Sequence, residues 1–110
     1  MENIIYNELK FRGYMVDVGV VEMNVQNNGK NDKIQLEVDF IATRGSEKIY
    51  IQSALNIDDD EKKAQEKRPL LNTRDNFKKI IIVKGLMKPR YDDDGIMSVG
   101  IIDFLLEKDA

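Results

Sequence analysis

From Ile34 to Thr43 the chain alternates with a period of two. Ile34, Leu36, Val38, Phe40 and Ala42 are set against Gln35, Glu37, Asp39, Ile41 and Thr43. Successive side chains of a strand point to opposite faces, so this pattern predicts a strand with one apolar face. Upstream, Tyr14 to Val25 is rich in β-branched residues and predicts another strand, joined to the first by a turn-rich stretch, Gln26 to Asp32, that contains an Asn-Gly pair. Downstream, Gly45-Ser46 fits a two-residue hairpin loop, with glycine supplying the positive φ of a type II′ turn, and Lys48 to Ser53 is the returning strand. At the N-terminus, Ile5, Leu9 and Arg12 recur on one side of a short amphipathic helix over Glu2–Arg12, and Gly13 stands at its C-terminal cap position.

In the second half, Asp58 to Glu61 offers an N-cap and an acidic first turn for a helix through Lys67, with a break or re-start expected at Pro69. Lys79 to Lys84 encloses a continuous apolar run, the mark of a buried central strand. Ile96 to Val99 predicts one more strand, Ile101 to Leu106 a terminal helix, and Asp92 to Gly95 a surface turn. The order is α-β-β-β-α-β, then β and α. A strand that follows a helical crossover implies a mixed central sheet flanked by helices on both faces, an α/β fold.

With 110 residues the chain is sized for one domain, 1–110, and its 42% hydrophobic content is enough for a modest core. It contains no Cys and no His. Disulfides, thiolate metal sites and the commonest general base are thereby excluded, which leaves carboxylates, Lys and Tyr for any chemistry. No apolar run reaches the roughly 18 residues of a membrane span and no signal-peptide pattern is present, so the expectation is a cytoplasmic protein without a membrane partner. The net charge of −3 gives no global attraction to nucleic acid.

Counting outward from Gly45-Ser46 pairs Arg44 with Glu47 and sets Asp39 opposite Gln52, their Cβ atoms about 5 Å apart on one face. Glu37 points to the same face, opposite Ala54, while Val38, Phe40, Ile49 and Ile51 form the apolar face. Oxygen-bearing side chains one strand apart suit a hard cation such as Mg2+. The alternative, for residues alternating on a strand, is the solvated side of a sheet.

Glu37-Val-Asp-Phe-Ile41, a short turn and Ile49-Tyr-Ile-Gln52 resemble the PD-(D/E)XK nuclease-like signature, and Glu2 to Gly13 resembles the first helix of that fold. Arg68-Pro-Leu-Leu71, Asp75-Asn-Phe77, Gly95-Ile96 and Ile102-Asp-Phe-Leu105 resemble one group within it, the C-terminal domain of unknown function found behind prokaryotic AAA-type ATPase modules. The resemblance covers essentially the whole chain. It implies a restriction-endonuclease-like αβββαβ core excised from a longer ATPase chain, with that ATPase module as partner. It also implies that Glu2 (or, second, Glu8), Asp39 and Gln52 correspond to the metal-holding and catalytic positions, with Mg2+ as cofactor if the site works. The family's lysine falls on Ala54, and Gln52 lacks the formal charge of a Glu. Without that preorganised cation near the phosphate, several kcal/mol of barrier lowering is missing. Lys48 shares the Gln52 face but lies about 13 Å away along the strand, too far for a ready replacement.

Lys62, Lys63, Lys67, Arg68, Lys78 and Lys79 form a basic stretch that could track phosphates, or a solvated face interleaved with Glu61 and Glu66. Lys84, Lys88 and Arg90 are followed at once by three aspartates. Tyr50 could stack on a base or pack within the sheet, and Tyr6 and Phe11 are expected to pack. No phosphate-binding glycine loop exists, so the nucleotide site of an ATPase parent lies outside these residues. The expectation is an accessory or interaction domain with a degenerate nuclease-like site. The alternatives are an Mg2+-dependent nuclease acting on DNA and a non-cleaving nucleic-acid-binding module.

Overall fold

The computed structural model of the chain describes residues 1–107. Its elements are α1 (Glu2–Phe11), β1 (Met15–Asn27), β2 (Lys30–Arg44), β3 (Glu47–Ala54), α2 (Asp60–Leu71), β4 (Lys78–Val83), β5 (Arg90–Tyr91), β6 (Met97–Gly100) and α3 (Ile101–Leu106). The six strands form one mixed sheet in the order β1-β2-β3-β4-β6-β5. The β1–β2, β2–β3 and β5–β6 pairs are antiparallel, and β3–β4 and β4–β6 are parallel. The mixed α/β class read from the sequence is present, and the expected order of elements is met with one addition, the two-residue edge strand β5.

Each face of the sheet has its own core. Phe40, Ala42, Ile49, Ile51, Ile80 and Ile82 pack towards α1 and α3, around Ile5, Leu9 and Phe104. Val38, Tyr50, Ala54, Ile81 and Val83 face the other way, around Leu70 of α2 and Ile96. β4 is buried on both sides, which is why its run of three isoleucines and a valine lacks alternation. Arg12 fastens α1 to α3: its Nη2 donates to the Phe104 carbonyl at 2.7 Å, its Nε donates to Glu8 at 2.9 Å, and its guanidinium lies 4.6 Å from the Phe104 ring centroid.

Four expectations are corrected. The connection between β1 and β2 is far tighter than a seven-residue loop. Asn28 and Gly29 both take positive φ, 53° and 78°, and Asn27 already pairs with Lys30, so two residues turn the chain. The turn-rich residues on either side are therefore strand, and a long hairpin results. Pro69 does not interrupt α2. It lies three residues from the helix end, where its missing N–H removes one bond, and both Pro69 and Leu70 are buried against the sheet. The N-cap of α2 is Asp59 rather than Asp58, its carboxylate accepting from Lys62 N–H at 2.7 Å. Phe11 does not pack: its side chain is 87% exposed.

A fifth difference bears on the site. Asp17 of β1 faces Ile41, yet Gly19 faces Val38, so Asp39 and Phe40 together oppose the single residue Val18. This is a β-bulge, and it reverses the alternation of β2. Val38 consequently joins the α2 side, while Phe40 stays on the α1 side. The apolar face expected from Val38 and Phe40 together does not exist. A glycine at position 19 is what lets β1 follow the kink, because a Cβ there would lie 2.3 Å from Ile41 Cδ1.

Candidate functional site

The β2–β3 ladder runs from Arg44↔Glu47 to Phe40↔Ile51, the register expected from a Gly45-Ser46 loop, and then stops. Beyond it the strands part. β2 continues alongside β1, and β3 continues alongside β4 through Ala54↔Val83. Asp39 and Gln52, which would form the next pair, stand at the mouth of this fork.

Their side chains replace the missing ladder bonds. Asp39 N–H donates to Gln52 Oε1 at 2.8 Å, and Ser53 N–H donates to Asp39 Oδ2 at 2.8 Å. The bulge leaves the Asp39 amide without a strand partner, and a buried, unpaired N–H costs about 1–3 kcal/mol. Gln52 removes that cost. It is only 4% exposed, and its Nε2 donates to the Glu66 carbonyl of α2 at 3.3 Å, so both ends of the amide are engaged.

On the α1 side, the Ser53 hydroxyl lies 3.2 Å from Asp39 Oδ2 and 3.3 Å from Glu2 Oε1. A hydroxyl has one proton, so it can satisfy only one of these carboxylates at a time. A cavity of about 310 Å3 opens beside them, lined by Glu2, Asn3, Tyr6, Val18, Glu37, Asp39 and Phe40. On the α2 side, burial pushes the Glu66 carboxyl above the ordinary carboxylate range, and the Asp39 charge raises it further.

The structure thus brings Glu2, Asp39 and Gln52 to one place, but with different roles. Glu2 and Asp39 meet through Ser53, and Gln52 meets the Asp39 backbone. Glu8 is elsewhere, in its ion pair with Arg12. Ala54, where the resemblance would put a lysine, is buried in the α2-side core. Lys48 sits over the rings of Tyr50 and Phe77, at 5.1 Å and 5.5 Å from their centroids, and does not reach the fork. Ser53 and Glu66 had no sequence signal: Ser53 acts partly through its backbone, and Glu66 comes in on a separate helix.

Mg2+ needs near-octahedral oxygen donors at roughly 2.0–2.1 Å. Among the described residues no three Asp or Glu groups converge closely enough to hold a metal. Turning Gln52 Oε1 towards a cation would leave the partly buried Asp39 N–H without its acceptor. As arranged, the donors do not fit Mg2+.

The chain is 36% identical to a Haemophilus influenzae protein described as an uncharacterized protein, over 107 residues. The match covers 97% of this chain and 23% of that relative, so the chain spans under a quarter of the relative's length. No family profile matches the chain. No solved structure matches it.

The basic stretch is divided rather than gathered. Lys67 is held between Asp92, at 2.9 Å, and Asp94. Lys79 is bonded to Asp75 and to the Phe77 carbonyl. Lys78 and Lys79 are successive residues of β4, so their side chains leave opposite faces of the sheet. Tyr50 is 5% exposed and its hydroxyl donates to Asp75 at 2.6 Å, which makes it a packed sheet residue. No helix among the described residues is long and apolar enough to cross a membrane.

Proposed function

We propose that this chain is a restriction-endonuclease-like module whose nuclease site has become structural, and that it serves as an accessory or interaction domain of an AAA-type ATPase in a longer parent protein. The observation that carries the reading is the Gln52 amide, with Oε1 on Asp39 N–H and Nε2 on the Glu66 carbonyl. A residue that closes the sheet across the fork is not free to ligate. Ala54 in the core supports the same reading, since no cation follows Gln52 on β3. The α1-β1-β2-β3-α2-β4 order is that of the core implied by the resemblance. The Haemophilus relative, in which the matched region is 23% of the length, is consistent with a module carried by a larger protein. The ATPase partner rests on the resemblance.

A second reading has one observation in its favour. Glu2 and Asp39 share the Ser53 hydroxyl, so two carboxylates from separate elements do meet, as an Mg2+-dependent nuclease acting on DNA would require. The two readings separate in a titration of the 15N-labelled chain with Mn2+, alongside Asp39→Asn. Under the interaction-module reading, millimolar Mn2+ produces no localised broadening at Asp39 and Ser53. Broadening confined to those amides and abolished by Asp39→Asn would overturn it and support metal-dependent cleavage.

A further inference from the structure

β1 is one edge of the sheet, and among the described residues no strand pairs with its outer side. The residues that flank a two-residue hairpin loop exchange both backbone bonds, and bonded pairs then alternate along the strands. Asn27 and Lys30 are that flanking pair, so the odd-numbered residues of β1 bond to β2. The even-numbered ones, Val16, Val18, Val20, Glu22, Asn24 and Gln26, turn their N–H and C=O groups outward. Natural edges are blunted by shortness, by Lys or by Pro. The opposite edge, β5, is two residues long and contains Arg90. β1 is 13 residues long without a Lys, Arg or Pro, and its Met15, Val18 and Val20 are 67%, 67% and 56% exposed.

The order of residues along this edge fits one partner strand in particular. Met15-Val-Asp-Val-Gly-Val-Val-Glu-Met23 reads almost the same in both directions about Gly19. Two such strands, antiparallel about a two-fold axis at Gly19, set Met15 opposite Met23, Val18 opposite Val20 and Gly19 opposite itself. Opposed residues are then both odd or both even, so outward backbone groups meet outward backbone groups and both strands present the same face to the same side. Val16, Val18, Val20 and Glu22 of each strand would exchange about eight backbone hydrogen bonds in all. Like charges directly opposite destabilise a strand pair. Here Asp17 comes opposite Val21 and Glu22 opposite Val16, so no carboxylate faces another.

We propose that β1 is a homodimer edge, on which a second copy of this chain docks its own β1 antiparallel about Gly19 to give one continuous sheet with six strands from each copy. Pairing of this kind is isologous and uses up both long edges. The two-residue β5 edges that remain are too short to add a third copy, so assembly closes at the dimer. The proposal does not rest on the interaction-module reading of the fork.

The test is sedimentation equilibrium of the chain combined with amide hydrogen exchange of the 15N-labelled chain at low and high concentration. Wild type should be a dimer with a Kd of about 1–100 μM. Raising the concentration through that range should slow exchange at Val16, Val18, Val20 and Glu22, while Asn24 and Gln26, beyond the paired stretch, continue to exchange. Val20→Lys should weaken the dimer at least about ten-fold with Tm unchanged in the dilute monomer, because the side chain is exposed there. Asn24→Lys should leave the Kd as it is. A monomer up to about 1 mM would leave this edge to a strand of another protein and overturn the proposal. A dimer in which the even-numbered amides gain no protection, or which Val20→Lys leaves intact, would place the contact elsewhere and overturn it equally.

Discussion

Gln52 is the residue at which the structural and chemical readings of the fork diverge most sharply, and its replacement gives numbers. In Gln52→Leu a side chain of similar size fills the same buried space, but Asp39 N–H loses its acceptor at 2.8 Å. That group is trapped by the bulge and has no strand partner to turn to. An unpaired buried N–H costs about 1–3 kcal/mol. The Glu66 carbonyl loses only a long bond of 3.3 Å at an oxygen that can still accept within the helix, so its contribution is small. The expected destabilisation is therefore about 1–3 kcal/mol, and each kcal/mol lowers Tm by about 4–8 °C in domains near this size.

Gln52→Glu is more informative, because it restores the acid that a metal-holding site would use. One oxygen can still accept from Asp39 N–H. The other replaces Nε2 and confronts the Glu66 carbonyl, so two acceptors meet without a proton between them. The new charge is also buried near Asp39 and Glu66, and a buried unpaired charge costs about 3–5 kcal/mol. Protonation would restore the donor. The introduced carboxyl should then have a folded pKa above its unfolded one, so the penalty is absent below the unfolded pKa and sets in as pH rises through the folded pKa. Urea unfolding followed by circular dichroism, near pH 5 and near pH 7.5, measures this. If Gln52→Leu is within about 0.5 kcal/mol of wild type, or Gln52→Glu is as stable as wild type at the higher pH, Gln52 is not the clasp of the fork and the reasoning fails.

Three further outcomes follow from the same structure. A Cβ at Gly19 meets the flexible end of Ile41 at 2.3 Å, whereas one at Gly100 meets the Met87 backbone nitrogen at 2.4 Å and the Gly85 carbonyl oxygen at 2.5 Å. Gly19→Ala should thus cost about 1–3 kcal/mol and Gly100→Ala more than that, checked by denaturant midpoints; equal costs would contradict the contact geometry. For Asp75, burial pushes the carboxyl up, but the Tyr50 hydroxyl, the Phe77 N–H and Lys79 outweigh it and hold the pKa below the ordinary value. Its contribution is present at neutral pH and lost as pH falls through the folded pKa, so Tyr50→Phe should lower neutral stability by about 1 kcal/mol and flatten the acid limb of the stability profile. Glu66, raised by burial and by Asp39, works in the opposite sense and disfavours folding once ionised. Glu66→Gln should be more stable than wild type at neutral pH and lose that advantage in acid, as thermal melts across the two ranges would show.

How far the sequence reached depended on how local each signal was. The Gly45-Ser46 turn set a register that could be counted residue by residue, and Arg44 does face Glu47. Alternation marked β2 as a strand, although not one with a single apolar face, and the unbroken apolar run of β4 marked a strand buried on both sides. The site resisted because its geometry depends on one extra residue. A bulge has no composition of its own, and after it every side chain of β2 changes face, so Val38 leaves the company of Phe40 and Asp39 turns to Glu2 and Ser53. The trace it left was Gly19, a glycine amid valines on the neighbouring strand, where any Cβ would strike Ile41. The same displacement explains the fork. Once Asp39 has lost its ladder partner, a carboxylate can cap Ser53 and an amide can cap Asp39. A glutamate at position 52 would do only half of this, because it cannot donate to Glu66. On that argument the glutamine is the residue that the bulged strand, with α2 lying across it, requires.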